Sequence, residues 1–209
     1  MLNGQPAVAV LVSGGGTNLQ ALIDAEKSGV LHSGRIRLVI ASRPDAYALT
    51  RAETAGIPTA VADRKALGQA GMEARILALL TEYRIDLIIL AGFMSILSAD
   101  FTRRFDRRIL NVHPSLIPAF CGAGFYGLRV HEAALAKGVK VTGATVHFVN
   151  EIPDGGEIIM QKAVRVAEND TPETLQKRVM RQAEWKILPA ATELVCAKLL
   201  NENNGTGDN

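Results

Sequence analysis

The sequence predicts an α/β protein with a mostly parallel, twisted sheet and helices on both faces. Two observations carry this. Short apolar runs, among them Ala7 to Val12, Ile36 to Ala41 and Asp86 to Ala91, lack the alternation of a half-buried strand and suit strands covered on both sides. Helix-patterned segments separate them, as parallel neighbours require, because their crossovers are too long for a hairpin. A third observation qualifies the picture: Val139 to Val149 alternates in part and, after Pro153-Asp154-Gly155-Gly156, Glu157 to Val166 follows, which predicts an antiparallel extension in the second half.

The elements follow in order. Ala7 to Val12 reads as a strand, Ser13 to Asn18 as a glycine loop, and Leu19 to Ala25 as the helix after it. Ile36 to Ala41 is the second strand, and Pro44-Asp45 leads into a helix that stops near Gly56-Ile57-Pro58. Val61 closes a short third strand, and a helix spans about Met72 to Tyr83 before the run DLIILA. Ile109 to Val112 is a further strand. Asp170-Thr171-Pro172-Glu173 pairs a capping residue with proline at the first helical position, opening a helix to about Leu188, with a further helical segment after Pro189. The reading is one domain over residues 1–200, with halves at about 1–105 and 106–200, and a disordered polar tail at 201–209.

Composition narrows the function classes. The chain has 209 residues, 48% of them hydrophobic, enough for one α/β core. Lys and Arg number 23 against 21 Asp and Glu, a balance that gives no field favouring nucleic acid or a membrane surface. Cys121 and Cys196 lie far apart and outside any metal-binding spacing, so neither a disulfide framework nor a metal is expected. With no secretory segment and no apolar run of membrane-spanning length, a cytoplasmic protein is expected.

The glycine loop sits where a strand meets a helix, so backbone N–H groups and the helix dipole there suit a phosphate monoester; a plain tight turn, capped by Thr17 or Asn18, is the alternative. It lacks the Lys-Ser/Thr of a nucleotide P-loop, and Leu19 stands where a dinucleotide fingerprint needs its third glycine. Asn111-Val112-His113-Pro114-Ser115 ends another strand, and residues two apart project from the same face. Asn offers a donor to a developing oxyanion, and His carries a proton near neutral pH. Asp154 is either a turn residue or, if it lies beside His113, a carboxylate that raises the imidazole pKa. His32, His131 and His147 read as structural, and Phe120 to Tyr126 as either a lid or a long connection.

Four segments together resemble the glycinamide ribonucleotide formyltransferases: VLVSGGGTNLQALIDA at 10–25, LAGFMSIL at 90–97, ILNVHPSLIPAF at 109–120 and GATVHFVNEIPDGGEII at 143–159. The resemblance implies a Rossmann-like formyltransferase fold, 10-formyltetrahydrofolate as donor, and the amine of a phosphoribosylglycinamide as acceptor. It implies that Asn111, His113 and Asp154 are catalytic, that Gly16, Thr17, Asn18 and Glu184 hold the ribonucleotide, and that Met94, Ser95, Ile96, Leu97, Asn150 and Glu151, with Asn111 and Asp154, line the folate pocket. The partners it implies are small molecules, with no metal, and the chain acts as a monomer or homodimer.

Two departures bear on the folate tail: Ser95 and Gln69 stand where relatives often carry Arg. The segment Cys121 to Leu128 is longer than the usual connection. The rival readings are a formyltetrahydrofolate deformylase, which normally carries an extra amino-terminal domain for which the first strand leaves no room, and a non-catalytic folate-binding module. A methionyl-tRNA formyltransferase would add a carboxy-terminal nucleic-acid-binding domain, and a sugar-nucleotide formyltransferase a different acceptor.

Overall fold

A computed structural model describes residues 4–205, which fall into two compact units, 4–97 with 189–205 and 98–188. The elements are those of the Rossmann-like α/β class, with a mostly parallel sheet and an antiparallel part in the second half.

In the first unit, strands β1 (Ala7–Val12), β2 (Arg35–Ala41), β3 (Thr59–Val61) and β4 (Leu87–Leu90) lie in the order β3-β2-β1-β4, and every pairing is parallel. Each residue of β1 and of β4 is buried, as the unbroken apolar runs require of central strands. Helices α1 (Thr17–Ser28), α2 (Tyr47–Thr54) and α3 (Arg64–Glu82) connect the strands. Helix α2 ends on Ala55, and Gly56 takes the left-handed conformation that closes it. Helix α3 begins eight residues before the periodicity indicated, because Asp63 caps it through the Lys65 N–H and Gly68 breaks its line before the apolar stripe of Met72, Ile76 and Leu79 sets in.

The second unit holds α4 (Ala99–Arg104), β5 (Ile109–His113), α5 (Leu128–Lys137), β6 (Val141–Phe148), β7 (Ile158–Arg165) and α6 (Pro172–Val179). Strands β5, β6 and β7 pair antiparallel, in agreement with the alternation read from the sequence. Helix α4 escapes sequence reading because it is six residues long, too short to show a period, although Ser98 caps it.

The carboxy-terminal part differs from expectation in two respects. Residues Met180–Glu184 form a π turn, and α7 (Trp185–Gly205) carries Pro189 inside it rather than starting after it. The polar segment expected to be disordered from residue 201 is helical through Gly205, since extending an existing helix adds a hydrogen bond per residue without a new nucleus. Residues 206–209 lie outside the described residues. Glu193 on α7 fixes the turn before β2, its carboxylate accepting from the His32 and Ser33 N–H groups (both 2.9 Å) and from the Ser33 hydroxyl (2.6 Å).

Candidate active site

In the second unit Asn111 and His113 project from the same face of β5, and the antiparallel register sets Asn111 opposite His147 and His113 opposite Thr145. The turn after β6 brings Asp154 to them. That turn closes because Asn150 accepts from the Ile152 N–H (3.0 Å) and because Gly156 lies against Phe148, whose carbonyl oxygen a Cβ would meet at 1.8 Å. Asp154 itself has φ +56°, a left-handed conformation that Asp tolerates better than most residues.

The Asp154 carboxylate is the hub. One oxygen accepts from the Gly122 N–H at 2.9 Å and lies 3.4 Å from His113 Nδ1; the other lies 3.4 Å from Asn111 Nδ2 and 3.5 Å from His147 Nε2. The far side of the His113 ring, Nε2, lies 2.8 Å from the Phe120 carbonyl. His147 is anchored through Nδ1 to the Phe148 carbonyl (2.7 Å), which leaves Nε2 to accept from Asn111 Nδ2 at 3.2 Å. His113 and His147 are almost completely buried.

Burial works against charge on both partners with different results. For Asp154 it pushes the pKa up, but the adjacent His147 ring, the Gly122 N–H and the His113 ring together outweigh it, so the carboxyl titrates below its usual range. For His113 burial wins: its pKa falls below the ordinary value although Asp154 and the Phe120 carbonyl both favour the cation. Asp154 does push the His113 pKa upward, as the sequence reading had it, and desolvation outweighs that push. The resting ring is neutral at pH 7, with one proton facing two acceptors, and a second proton is what would satisfy both.

In the first unit, helix α1 begins on Gly16, which has φ +71° and no side-chain cap; Thr17 and Asn18 do not cap it as the tight-turn reading had it. A Cβ on Gly16 would lie 2.7 Å from the Ala48 Cβ, so glycine is required there by conformation and by space.

The Formyl transferase family profile matches residues 7–192. The trifunctional purine biosynthetic protein adenosine-3 of Bos taurus is 47% identical over 94% of this chain but 19% of its own length, so the chain spans a minor part of these trifunctional relatives. The phosphoribosylglycinamide formyltransferase of Haemophilus influenzae is 44% identical over 87% of this chain and 83% of its own length. The crystal structure of glycinamide ribonucleotide transformylase 1 from Symbiobacterium toebii superposes with a TM-score of 0.86 at 41% identity, covering 94% of this chain and 90% of that one. The chain belongs to the phosphoribosylglycinamide formyltransferase family. A formyltetrahydrofolate deformylase from Burkholderia mallei shares the architecture at 30% identity and a TM-score of 0.81, covering 93% of this chain and 66% of that one, so the fold alone does not separate transfer from hydrolysis.

Asn111 and His113 gather around the Asp154 carboxylate, and His147, which the sequence reading took as structural, lies within hydrogen-bonding distance of Asn111 beside them. Its signal was the period-two strand that points it to the same face as Thr145, opposite β5, but a pairing register is needed to see whom it meets. The segment Cys121 to Leu128 does more than connect: Gly122 binds Asp154, and the Phe120 and Phe125 rings pack at 6.4 Å. Cys121 is a poor nucleophile there, since burial and the Asp154 charge push its thiol pKa up. His131 belongs to neither site. It is fully buried on α5, among the described residues neither ring nitrogen has a hydrogen-bond partner, and burial followed by repulsion from His113 lowers its pKa to about 4.

The remaining expected positions fall in both units. Along Met94 to Leu97 the chain alternates, Met94 (56% exposed) and Ile96 (69%) outward, Ser95 and Leu97 inward, with the Met94 N–H held by the Ser13 hydroxyl at 2.9 Å. Ser95 lines a cavity of about 730 Å³ with Arg43, Asp45, Asp63, Arg64 and Lys65, and Gln69 donates to the Ile96 carbonyl at 2.8 Å. Asn150 and Glu151 lie in the turn that carries Asp154, and Glu184 is buried in the π turn. Among the described residues no group of His, Cys, Asp and Glu is arranged to hold a metal, and no helix is long and apolar enough to cross a membrane.

Proposed function

We propose that this chain, as one formyltransferase domain over residues 1–200 acting on small molecules in the cytoplasm, transfers the formyl group of 10-formyltetrahydrofolate to the amine of 5-phosphoribosylglycinamide, giving the formylated ribonucleotide and tetrahydrofolate. The observation that carries the reading is the joining of Asn111, His113, His147 and Asp154 through one carboxylate. Attack of the amine on the formyl carbon builds negative charge on the formyl oxygen and positive charge on the nitrogen. The Asn111 amide is the donor for the oxygen. His113, neutral at rest, takes up the proton the amine must lose and becomes an imidazolium held between Asp154 and the Phe120 carbonyl, from which a proton passes to the departing folate nitrogen. No metal is assigned a role. Gly16, Thr17 and Asn18 serve the acceptor's phosphate and Glu184 its ribose. Met94, Ser95, Ile96 and Leu97, with Asn150 and Glu151, serve the folate, where the outward side chains of Met94 and Ile96 offer apolar surface to a flat ring.

A steady-state assay tests the proposal by following tetrahydrofolate with and without the ribonucleotide. Product that requires the ribonucleotide, matched by equal formylated amine, is expected. Equal product in its absence would make the chain a deformylase, and folate binding without product would leave a binding module.

A further inference from the structure

The glycine loop is oriented by its carbonyls. The Gly14 carbonyl accepts from the Ala48 N–H at 3.0 Å, the Gly15 carbonyl from Arg51 Nε at 2.8 Å, and the Gly16 carbonyl from the Gln20 N–H at 2.9 Å. In a planar trans peptide the N–H points opposite to the C=O. The N–H groups of Gly15, Gly16 and Thr17 are therefore turned away from these donors, toward the open side of the loop at the start of α1, as an anion-binding concavity requires. Two of the three carbonyls are held by backbone donors, which any sequence supplies. The middle one is held by a side chain.

That side chain is itself fixed. The second arm of the Arg51 guanidinium donates to Gln20 Oε1 at 3.1 Å, the guanidinium carbon lies 5.1 Å above the Tyr47 ring, and Arg51 Cδ lies 3.4 Å from where a Cβ on Gly16 would stand. The fork ties α2 to both the loop and the first turn of α1, a geometry that a lysine cannot copy. We infer that Arg51 is a positioning residue for the phosphate end of the acceptor: it sets the Gly15–Gly16 peptide so that the Gly16 N–H faces the phosphate, and it places a permanent positive charge behind the loop. This rests on the proposed reading of Gly16 to Asn18 as the phosphate site.

The test compares the wild-type chain with Arg51→Ala and Arg51→Lys. Affinity for inorganic phosphate is measured by ³¹P NMR titration, and kcat and both KM values by steady-state kinetics. Both variants are expected to weaken phosphate binding and to raise the acceptor KM by about tenfold, the value of one good charge-assisted hydrogen bond, with kcat and the folate KM within about twofold of wild type. Wild-type phosphate affinity in Arg51→Ala overturns the inference. So does wild-type behaviour of Arg51→Lys, which would reduce the role to bare charge, or a fall in kcat with the acceptor KM unchanged. Should Arg51→Ala not fold, the Arg51→Lys comparison decides alone. A wild-type chain that makes no formylated ribonucleotide defeats the proposed function instead, and the phosphate titration still judges Arg51.

Discussion

The two sites are made of different material. The glycine loop of the first unit, on the proposed reading, is a backbone site: its binding groups are N–H donors, present at every non-proline residue, and the sequence acts by removing side chains and pinning carbonyls. The cluster of the second unit is a side-chain site, in which three polar side chains from β5 and β6 converge on one carboxylate supplied by the turn after β6. A backbone site fails through geometry, whereas a side-chain site fails through chemistry. The variants below separate the two modes.

The largest effect is expected at the carboxylate hub. His113→Ala and Asp154→Asn should each lower kcat by about 10²–10⁴-fold with the circular-dichroism spectrum and acceptor KM little changed, because in the proposed mechanism both groups act mainly in the transition state. Turnover within a few-fold of wild type in either variant would remove the cluster from the mechanism. Next comes His147→Phe. It leaves Asn111 without its cross-strand acceptor, and kcat should fall by about tenfold to a hundredfold as the amide loses its orientation. An unchanged kcat would return His147 to a purely structural role.

Gly16→Ala attacks the backbone site. The left-handed conformation and the contact with Ala48 should cost about 1–3 kcal/mol of stability, read as a lower denaturant midpoint, and the acceptor KM should rise more than kcat falls. A variant as stable as wild type, with normal acceptor KM, would show that the loop tolerates a different path.

The control lies outside both sites, at His131. Its folded pKa of about 4 is below the ordinary value of 6.5, so the unfolded chain binds the extra proton first as pH falls. The stability from keeping this ring neutral is complete above about pH 6.5 and is lost progressively toward pH 4, amounting to roughly 3 kcal/mol over that window. His131→Met should flatten this part of the stability profile while leaving kcat at neutral pH within about twofold. An unaltered acid limb would mean that the destabilisation comes from other groups.

The contrast also explains what could be read in advance. Strands such as Ala7–Val12 and Leu87–Leu90 were legible because a strand covered on both faces must be apolar throughout. The glycine loop was legible as a loop between β1 and α1 because it is written in consecutive residues. The four matching segments carried the family and, with it, the trio. The place of His147 beside Asn111 was not legible because it comes from a cross-strand register, and the π turn and the helix through Pro189 were missed because neither leaves a period in the sequence.

By itself, then, the sequence determined the α/β order, the placement of a glycine loop after β1, and the residue types from which a formyl-transfer site is made. Tertiary structure decided that Asp154, 41 residues beyond His113, lies 3.4 Å from it with Gly122 and His147 on the same carboxylate. It also decided the charge of His113. Attraction to Asp154 is visible once two residue names are paired, but the opposing cost of desolvation depends on how completely the folded chain excludes water, and that burial sets the resting ring neutral.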